Sequence, residues 1–367
     1  MRVLHVCADA GIPLDGSKGA SVHLRSLAGA LAQEHEVILV VRRVGTMTTV
    51  PTGGAAPAAT LPLDGPASLD DAVARFGVPD VVYERYSLGH LGGLALARRL
   101  DRPFVLEMNA PLAAEAQQHR PGTVDAGDAD AEDRLVREAD LVITVSSPLR
   151  DHVAGLRGPR PTVVIHNGFD PDLFGPSGPK DPAPTIGFLG HPKPWHGADL
   201  LPELLRRLRG RGHDARLLVV GGGPGTEDVA RAAAAAGVVH HVEITGALPQ
   251  ADAAVAIGRA WVGVAPYPAL TPFYFSPIKL VEYLAAGLAV VATSVGDLPG
   301  IVGDGGLLVP PGDVEALADA VDRLFSDATE LRRLADRGRR HVLERHTWSA
   351  VAATTIAAIR QLGAGRP

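Results

Sequence analysis

The strongest constraint on this chain is a rhythm of short apolar, β-branched runs, most of them followed by a helical-looking segment, repeated in two successive sets. The first set is Val3–Cys7, Val37–Val41, Val81–Tyr83, Phe104–Leu106, Leu141–Val145 and Val163–Ile165. The second is Thr185–Leu189, Leu217–Val220, Val242–Ile244, Val262–Val264, Ala289–Ala292 and Leu307–Val309. Runs that are continuously apolar, not alternating, mark strands buried on both faces. Strands that alternate with helices imply parallel sheets joined by right-handed crossovers. The expected class is therefore α/β with two domains, and 367 residues give each room for its own core.

Between the two sets lies Asn167–Pro184, NGFDPDLFGPSGPKDPAP, too rich in Pro and Gly for a helix or a central strand. It is read as carrying a linker over 171–184 between a first domain, 1–170, and a second, 185–347. A final helix near 348–362 is free to pack on either half. Thr46–Ser68 and Ala114–Asp133 read as polar surface loops, the second with a helix after it.

Composition excludes several classes. A hydrophobic fraction of 46% and a charged fraction of 21% are those of an ordinary globular protein. The net charge of −6 offers no general attraction to nucleic acid or to an anionic bilayer, and the basic runs Arg206–Arg216 and Arg332–Arg340 read as solvated helix faces. Cys7 stands alone, which rules out an intramolecular disulfide and a thiolate metal site. Neither a leader peptide nor a membrane span is expected, and the expected location is cytoplasmic. Oligomeric state leaves no trace in the sequence.

The segment richest in chemistry is Phe273–Thr293, FYFSPIKLVEYLAAGLAVVAT. Ser276 followed by Pro277 reads as an N-cap and first helical residue. The amides of Ile278 and Lys279 then lack intrahelical acceptors at the positive end of the helix dipole, which suits a diphosphate. One turn on, Glu282 shares their face, and its two carboxylate oxygens suit the two hydroxyls of a ribose. Gly287 ends the helix before a buried strand. An ordinary amphipathic helix with an exposed Lys and Glu is the alternative that spacing leaves open.

This stretch resembles the donor-site signature of the retaining GT-B glycosyltransferases of family 4, in a subgroup reading Ser-Pro-x-Lys-x-x-Glu-Tyr. The resemblance implies two Rossmann-like domains facing each other across a cleft, with the donor in the second half and the acceptor in the first. It assigns the ribose to Glu282 and the diphosphate to the amides of Ile278 and Lys279, with the Ser276 hydroxyl nearby. Where the family usually has a second glutamate, against the donor sugar, this chain has Tyr274.

Further segments extend the resemblance. FLGHPKPWHGADLL, Phe188–Leu201, matches the family's loop of two glycines and basic residues; its usual Arg and Lys are His191 and His196 here. Lys193 offers a permanent charge for a leaving diphosphate, and His196 a proton-dependent one. In GIPLDGSKGASVHLRSLAGAL, Gly11–Leu31, Gly19 takes the place of the glycine that covers the diphosphate, with Lys18 beside it. In VLEMNAPL, Val105–Leu112, Asn109 falls about where relatives carry a sugar-contacting histidine, with Glu107 close by. YERY, Tyr83–Tyr86, adds Glu84 as a sugar or acceptor candidate, and the backbone at Ala247 and Leu248 in ITGALPQADA falls where the base is read. VIHNGFD, Val164–Asp170, resembles the entrance to the linker.

The pairs Asp128/Asp130 and Asp170/Asp172 mimic a two-carboxylate metal motif but fall in a loop and in the linker, so no metal is expected. GGGPGTED, Gly221–Asp228, lacks the third glycine of a dinucleotide fingerprint. Hence the expected activity is metal-independent, retaining transfer of a hexosyl group from a nucleotide diphosphate sugar, UDP foremost, to a small-molecule or glycan acceptor. The expected catalytic residues are Lys193, Lys279 and Asn109, and no cofactor is required. A sugar-nucleotide epimerase and a non-catalytic sugar-nucleotide-binding module are the alternatives.

Overall fold

Val, Ile and Leu runs with no polar face form strands only where helices cover both sides, and the chain builds two such sheets. The computed structural model describes residues 1–45, 55–65, 67–119, 126–176 and 178–364. The first sheet arises from β1 (Arg2–Cys7), α1 (Gly19–Ala32), β2 (Glu36–Val41), β3 (Ala59–Pro62), α2 (Ser68–Phe76), β4 (Val81–Arg85) and α3 (Gly92–Leu100). It continues through β5 (Phe104–Met108), α4 (Leu112–His119), α5 (Ala126–Glu138), β6 (Leu141–Thr144), α6 (Ser147–Arg157) and β7 (Thr162–Val164). Its seven strands are all parallel in the order β3-β2-β1-β4-β5-β6-β7. The direction of winding reverses between β1 and β4, and such sheets present ligand sites outside the strand carboxyl ends at that point.

The second sheet comes from β8 (Thr185–Leu189), α7 (Leu201–Gly210), β9 (Arg216–Val220), α8 (Gly225–Ala235), β10 (Val242–Ile244), α9 (Gln250–Gly258) and β11 (Val262–Ala265). Next come α10 (Ile278–Ala285), β12 (Ala289–Thr293), α11 (Leu298–Val302), β13 (Gly306–Val309), α12 (Val314–Ser326) and α13 (Ala328–Arg345). The order is β10-β9-β8-β11-β12-β13, again parallel, with the reversal between β8 and β11. The last helix is α14 (Trp348–Ala364).

Contacts divide the chain into two units. The first comprises Met1–Asn167, the short stretch Tyr274–Ser276 and the segment from Trp348 onward, so that α14 packs on α1; the second comprises Gly168–Phe273 and Pro277–Thr347. Each has its own core. In the first, Leu4, Val6, Ile38, Val82, Phe104 and Leu106 are almost fully buried against Leu94, Leu96 and Leu135. In the second, Ile186, Phe188, Leu217, Val219, Val262 and Val264 pack against Leu201, Leu204 and Leu205. Fully burying one such side chain contributes about 1.5–3 kcal/mol.

Two segments read as loops are more ordered than their composition suggests. Thr46–Ser68 contains β3, which pairs with β2 from Ile38↔Ala59 to Val41↔Pro62, and residues 46–54 and 66 lie outside the described residues. Ala114–Asp133 belongs largely to α4 and α5, with residues 120–125 outside the described set. Glu132 in α5 fixes this region, accepting hydrogen bonds from Tyr86 Oη at 2.6 Å and the Ala113 amide at 3.1 Å.

Candidate functional site

In the second unit, loops leaving the carboxyl ends of β8, β9, β10 and β11 pack together beside the opening of α10. The amide of Gly190 donates to Val220 O at 2.8 Å, and Gly221 bridges to Gly246. Glycine is required here by close approach: a Cβ on Gly222 would lie 2.8 Å from the Ala247 amide nitrogen, and one on Gly197 would lie 1.9 Å from Pro266 O. Gly197 also holds a φ of +65°, which favours glycine. Ala247 is thus brought beside Gly222, Leu248 follows it half-buried, and His191 lies against Gly223. The glycine run Gly221–Gly223, read from sequence only as an incomplete dinucleotide fingerprint, is part of this rim.

Helix α10 is buried along its length from Lys279 to Ala285. Lys279 is 9% exposed and Glu282 8%, so the alternative of a solvated amphipathic helix does not hold. The Lys279 Nζ lies 4.0 Å from the centroid of the Phe188 ring and 5.7 Å from that of Tyr267, and makes no hydrogen bond among the described residues. The place a Cβ would take on Gly190 is 3.9 Å from this nitrogen. Burial pulls the ammonium down from 10.5 to about 7, and Glu282 one turn on partly offsets the fall. A buried cation without a partner is costly; it sheds its proton or acquires an anion.

The helix is seated by Tyr283, whose ring fills the space over Gly263 and whose hydroxyl oxygen accepts the Leu189 amide at 2.7 Å. This fixes the end of β8, and so the start of the Gly190 loop, against α10. Tyr283, Phe188 and Tyr267 were not read from sequence as site residues; the Tyr after Glu282 in the motif was the available signal.

Three expectations change. Ser276 does not cap α10: the helix begins at Ile278 with Pro277 as N-cap, and the Ser276 hydroxyl oxygen accepts the Asn167 amide at 3.0 Å. Its carbonyl accepts Asn167 Nδ2 at 2.5 Å, so Ser276 groups with the first unit. His196 supplies no cation in the neutral range. Its ring is surrounded by Phe188, Trp195 and Tyr267, and burial, with Lys279 nearby, lowers it to about 3. Glu84 and Glu107 are 0% and 1% exposed, and are held by protein partners instead of being presented to a ligand. Lys193 is exposed before the turn Pro194–His196.

In the first unit, Lys18 is the N-cap of α1 and Gly19 its first residue, both exposed. Arg25, buried on α1, donates to Gly16 O at 2.6 Å and ties down the loop before the helix. Glu107, at the end of β5, accepts from Tyr83 Oη at 2.5 Å and Arg85 Nη1 at 2.8 Å, with His23 Nε2 at 2.9 Å. Burial alone would raise its carboxyl, but His23, Arg85 and Tyr83 together hold it well below the usual carboxylate range. Asn109 follows β5 half-buried, with its Oδ1 making no hydrogen bond among the described residues. Tyr274 bonds through its hydroxyl to Glu115, and its carbonyl accepts Ser146 Oγ at 2.7 Å. Among the described residues no three His, Cys, Asp or Glu gather to hold a metal, and no helix is long and apolar enough to cross a membrane.

Comparison with known proteins agrees with this architecture. Residues 17–173 match Glycosyltransferase Family 4 and residues 183–327 match Glycosyl transferases group 1. The chain is 32% identical to D-inositol 3-phosphate glycosyltransferase of Stackebrandtia nassauensis, covering 75% of this chain and 67% of that protein. It is 29% identical to MMP alpha-(1->4)-mannosyltransferase of Mycolicibacterium hassiacum, covering 77% and 71%. Among solved structures, sucrose-phosphate synthase from Thermosynechococcus elongatus superposes with a TM-score of 0.76 at 21% identity over all of both chains. HepE of Anabaena, in complex with UDP and glucose, does so with a TM-score of 0.76 at 18% identity, covering 98% of this chain and 100% of that one. Two parallel Rossmann-like domains with these relatives make the fold GT-B, and the chain belongs to the family 4 glycosyltransferases.

Proposed function

We propose that this enzyme transfers a hexosyl group from a nucleoside diphosphate sugar, UDP foremost, to a hydroxyl of its acceptor with retention at the anomeric carbon. The observation that carries the donor assignment is the buried Lys279 Nζ at the opening of α10, which makes no hydrogen bond among the described residues. The free amides of Ile278 and Lys279 lie at the same helix end, and a diphosphate satisfies them together with the ammonium. Glu282 takes the ribose diol, and the backbone at Ala247 and Leu248 takes the base. Relatives lend support: HepE binds UDP and glucose.

In the proposed reaction the bond from the anomeric carbon to the β-phosphate oxygen breaks and its electron pair stays on the phosphate. The acceptor oxygen attacks the same face, and its proton passes to the departing phosphate. The protein's task is to stabilise charge on that phosphate, through Lys279, the exposed Lys193 and the helix amides. In well-studied oxyanion sites, loss of one such group costs about 2.7–4 kcal/mol. In the first unit, Gly19 and Lys18 are the candidate phosphate contacts and Asn109 the candidate sugar contact in place of a histidine. No metal enters this scheme.

Calorimetric titration with UDP tests the assignment. Wild type binds and Glu282→Ala binds at least tenfold more weakly; equal affinities remove Glu282 from the site. Incubation with UDP-sugar alone that yields an isomerised sugar nucleotide transfers the reading to an epimerase.

A further inference from the structure

A cavity of about 430 Å³ opens in the first unit, where the chain leaves β2 and β3 beside α2 and α3. Its walls include the side chains of Leu63, Leu69 and Leu96, all nearly fully buried. Arg42, His90 and Arg99 supply its charged lining. Arg99 is paired with Asp70, which also lines the cavity, so those two charges cancel. Arg42, one residue past β2, pairs with no carboxylate among the described residues and leaves the cavity with one uncompensated cation.

His90 is oriented from behind. Its Nδ1 lies 2.8 Å from Glu84 Oε1, and Glu84 is wholly buried in β4. Burial raises the Glu84 carboxyl, and the bond to His90 limits the rise. The pair thus holds the imidazole at the cavity wall, with Nε2 beside Gly92, where a Cβ would approach within 2.8 Å. In this arrangement Glu84 acts through His90 and touches no ligand itself. The nine-residue α3 also begins here, at Gly92, with no acidic residue in its first turn, and its amide end adds a field of the same sign.

We propose that this cavity is the acceptor subsite, and that it takes a small acceptor with a compact apolar body, one hydroxyl that attacks the sugar, and an anionic group, phosphate or carboxylate, seated on Arg42. The inference rests on the reading of the chain as a sugar transferase and names the acceptor class for that reaction. Three leucines accommodate the apolar body and reject a fully hydroxylated one, whose polar groups lose water there without replacement. The volume matches a single substituted ring and lies at the small end of ligand sites, about 300–1,000 Å³. Arg42 supplies a planar fork of donors suited to an anion. His90 Nε2 is the polar group placed to orient the acceptor within the cavity.

Phenyl phosphate is the probe, titrated with and without saturating UDP, against phenol and inorganic phosphate as its separate halves. Wild type binds phenyl phosphate at least tenfold more tightly than either half. Arg42→Gln weakens phenyl phosphate at least tenfold while phenol is unaffected. Ala95→Phe, which fills the cavity from an exposed position on α3, abolishes binding of the probe. Sodium benzoate, competing with phenyl phosphate in wild type but not in Arg42→Gln, extends the class to carboxylates. Absence of phenyl phosphate binding, or binding unchanged in both variants, overturns the assignment. The donor reading is scored separately by UDP: if UDP fails to bind while phenyl phosphate depends on Arg42, the donor site falls and the cavity stands as an anion site.

Discussion

The proposed contact of Lys279 with the donor's diphosphate ties donor binding to pH, and the direction follows from the burial of Lys279. In the free enzyme its ammonium is lowered to about 7. A diphosphate placed against it favours the charged form, so binding UDP recruits a proton whenever the amine is neutral beforehand. At pH 7 about half a proton is taken up, and at pH 8–9 close to one. UDP affinity then falls about tenfold per pH unit above 7 until the pKa of the complex is reached. The nucleotide adds little to this slope, because a phosphate monoester loses its last proton at about pH 6. His196, lowered to about 3 by burial, is neutral over this range.

Folding stability moves the opposite way. Between about 7 and the ordinary value of 10.5, the unfolded chain binds a proton at Lys279 that the folded chain does not. The unfolding free energy from this group therefore rises with pH through that window, by at most about 1.4 kcal/mol per unit. The assay is isothermal titration with UDP at pH 7, 8 and 9 in buffers of different ionisation enthalpy, alongside urea unfolding without ligand. Lys279→Met removes both slopes, weakens UDP at pH 7 and leaves the fold at least as stable, since an apolar chain of similar length replaces an unpaired amine. Constant affinity from pH 7 to 9 with no proton uptake, or an unchanged slope in Lys279→Met, refutes the reasoning.

The remaining predictions concern the scaffold around the site. Tyr283→Phe leaves the buried Leu189 amide without its acceptor and lowers stability by about 1–3 kcal/mol in urea unfolding; it also weakens UDP by loosening the Gly190 loop. Gly222→Ala puts a methyl 2.8 Å from the Ala247 amide nitrogen, so UDP affinity drops at least tenfold while cooperative unfolding persists. Glu107→Gln breaks a buried network of Arg85, His23 and Tyr83 and costs about 3–5 kcal/mol of stability. Because the Glu107 carboxyl is depressed, its contribution is fully present at neutral pH, begins to fall as the pH drops through the ordinary value of 4.5 and is lost by the point where acid protonates the folded carboxyl. A wild-type chain that loses this increment above pH 5 contradicts the assignment.

How far the sequence is legible depends on whether neighbours in the chain or neighbours in space decide the outcome. Runs such as Val37–Val41 and Ala289–Ala292 declare themselves, because burial on both faces leaves no room for polar residues. Ala59–Pro62 does not: Ala-Thr-Leu-Pro becomes β3 because β2 offers a free edge, a fact absent from the segment itself. Leu112–His119, Ala-rich and a good helix former, was obscured by the polar residues around it.

At the site, spacing put Lys279 and Glu282 on one helix, but their burial comes from Phe188, Tyr267 and the loops packed beside them. The Ser-Pro pair looks like a cap until Asn167, far away in sequence, takes the serine oxygen. His196 reads as a titrating cation until three aromatic rings remove its water. Glu84 and Glu107 read as ligand contacts because they lie near strand carboxyl ends, where ligands collect, yet both side chains turn into the protein.

The central claim is that the opening of α10 and the buried Lys279 hold the donor's diphosphate. A crystal structure with UDP tests it most directly. The account predicts phosphate oxygens within hydrogen-bond distance of the Ile278 and Lys279 amides and of Lys279 Nζ, with the ribose hydroxyls on the Glu282 carboxylate. Bound UDP whose phosphates lie away from Lys279 Nζ, with Glu282 engaged only by protein atoms, contradicts it.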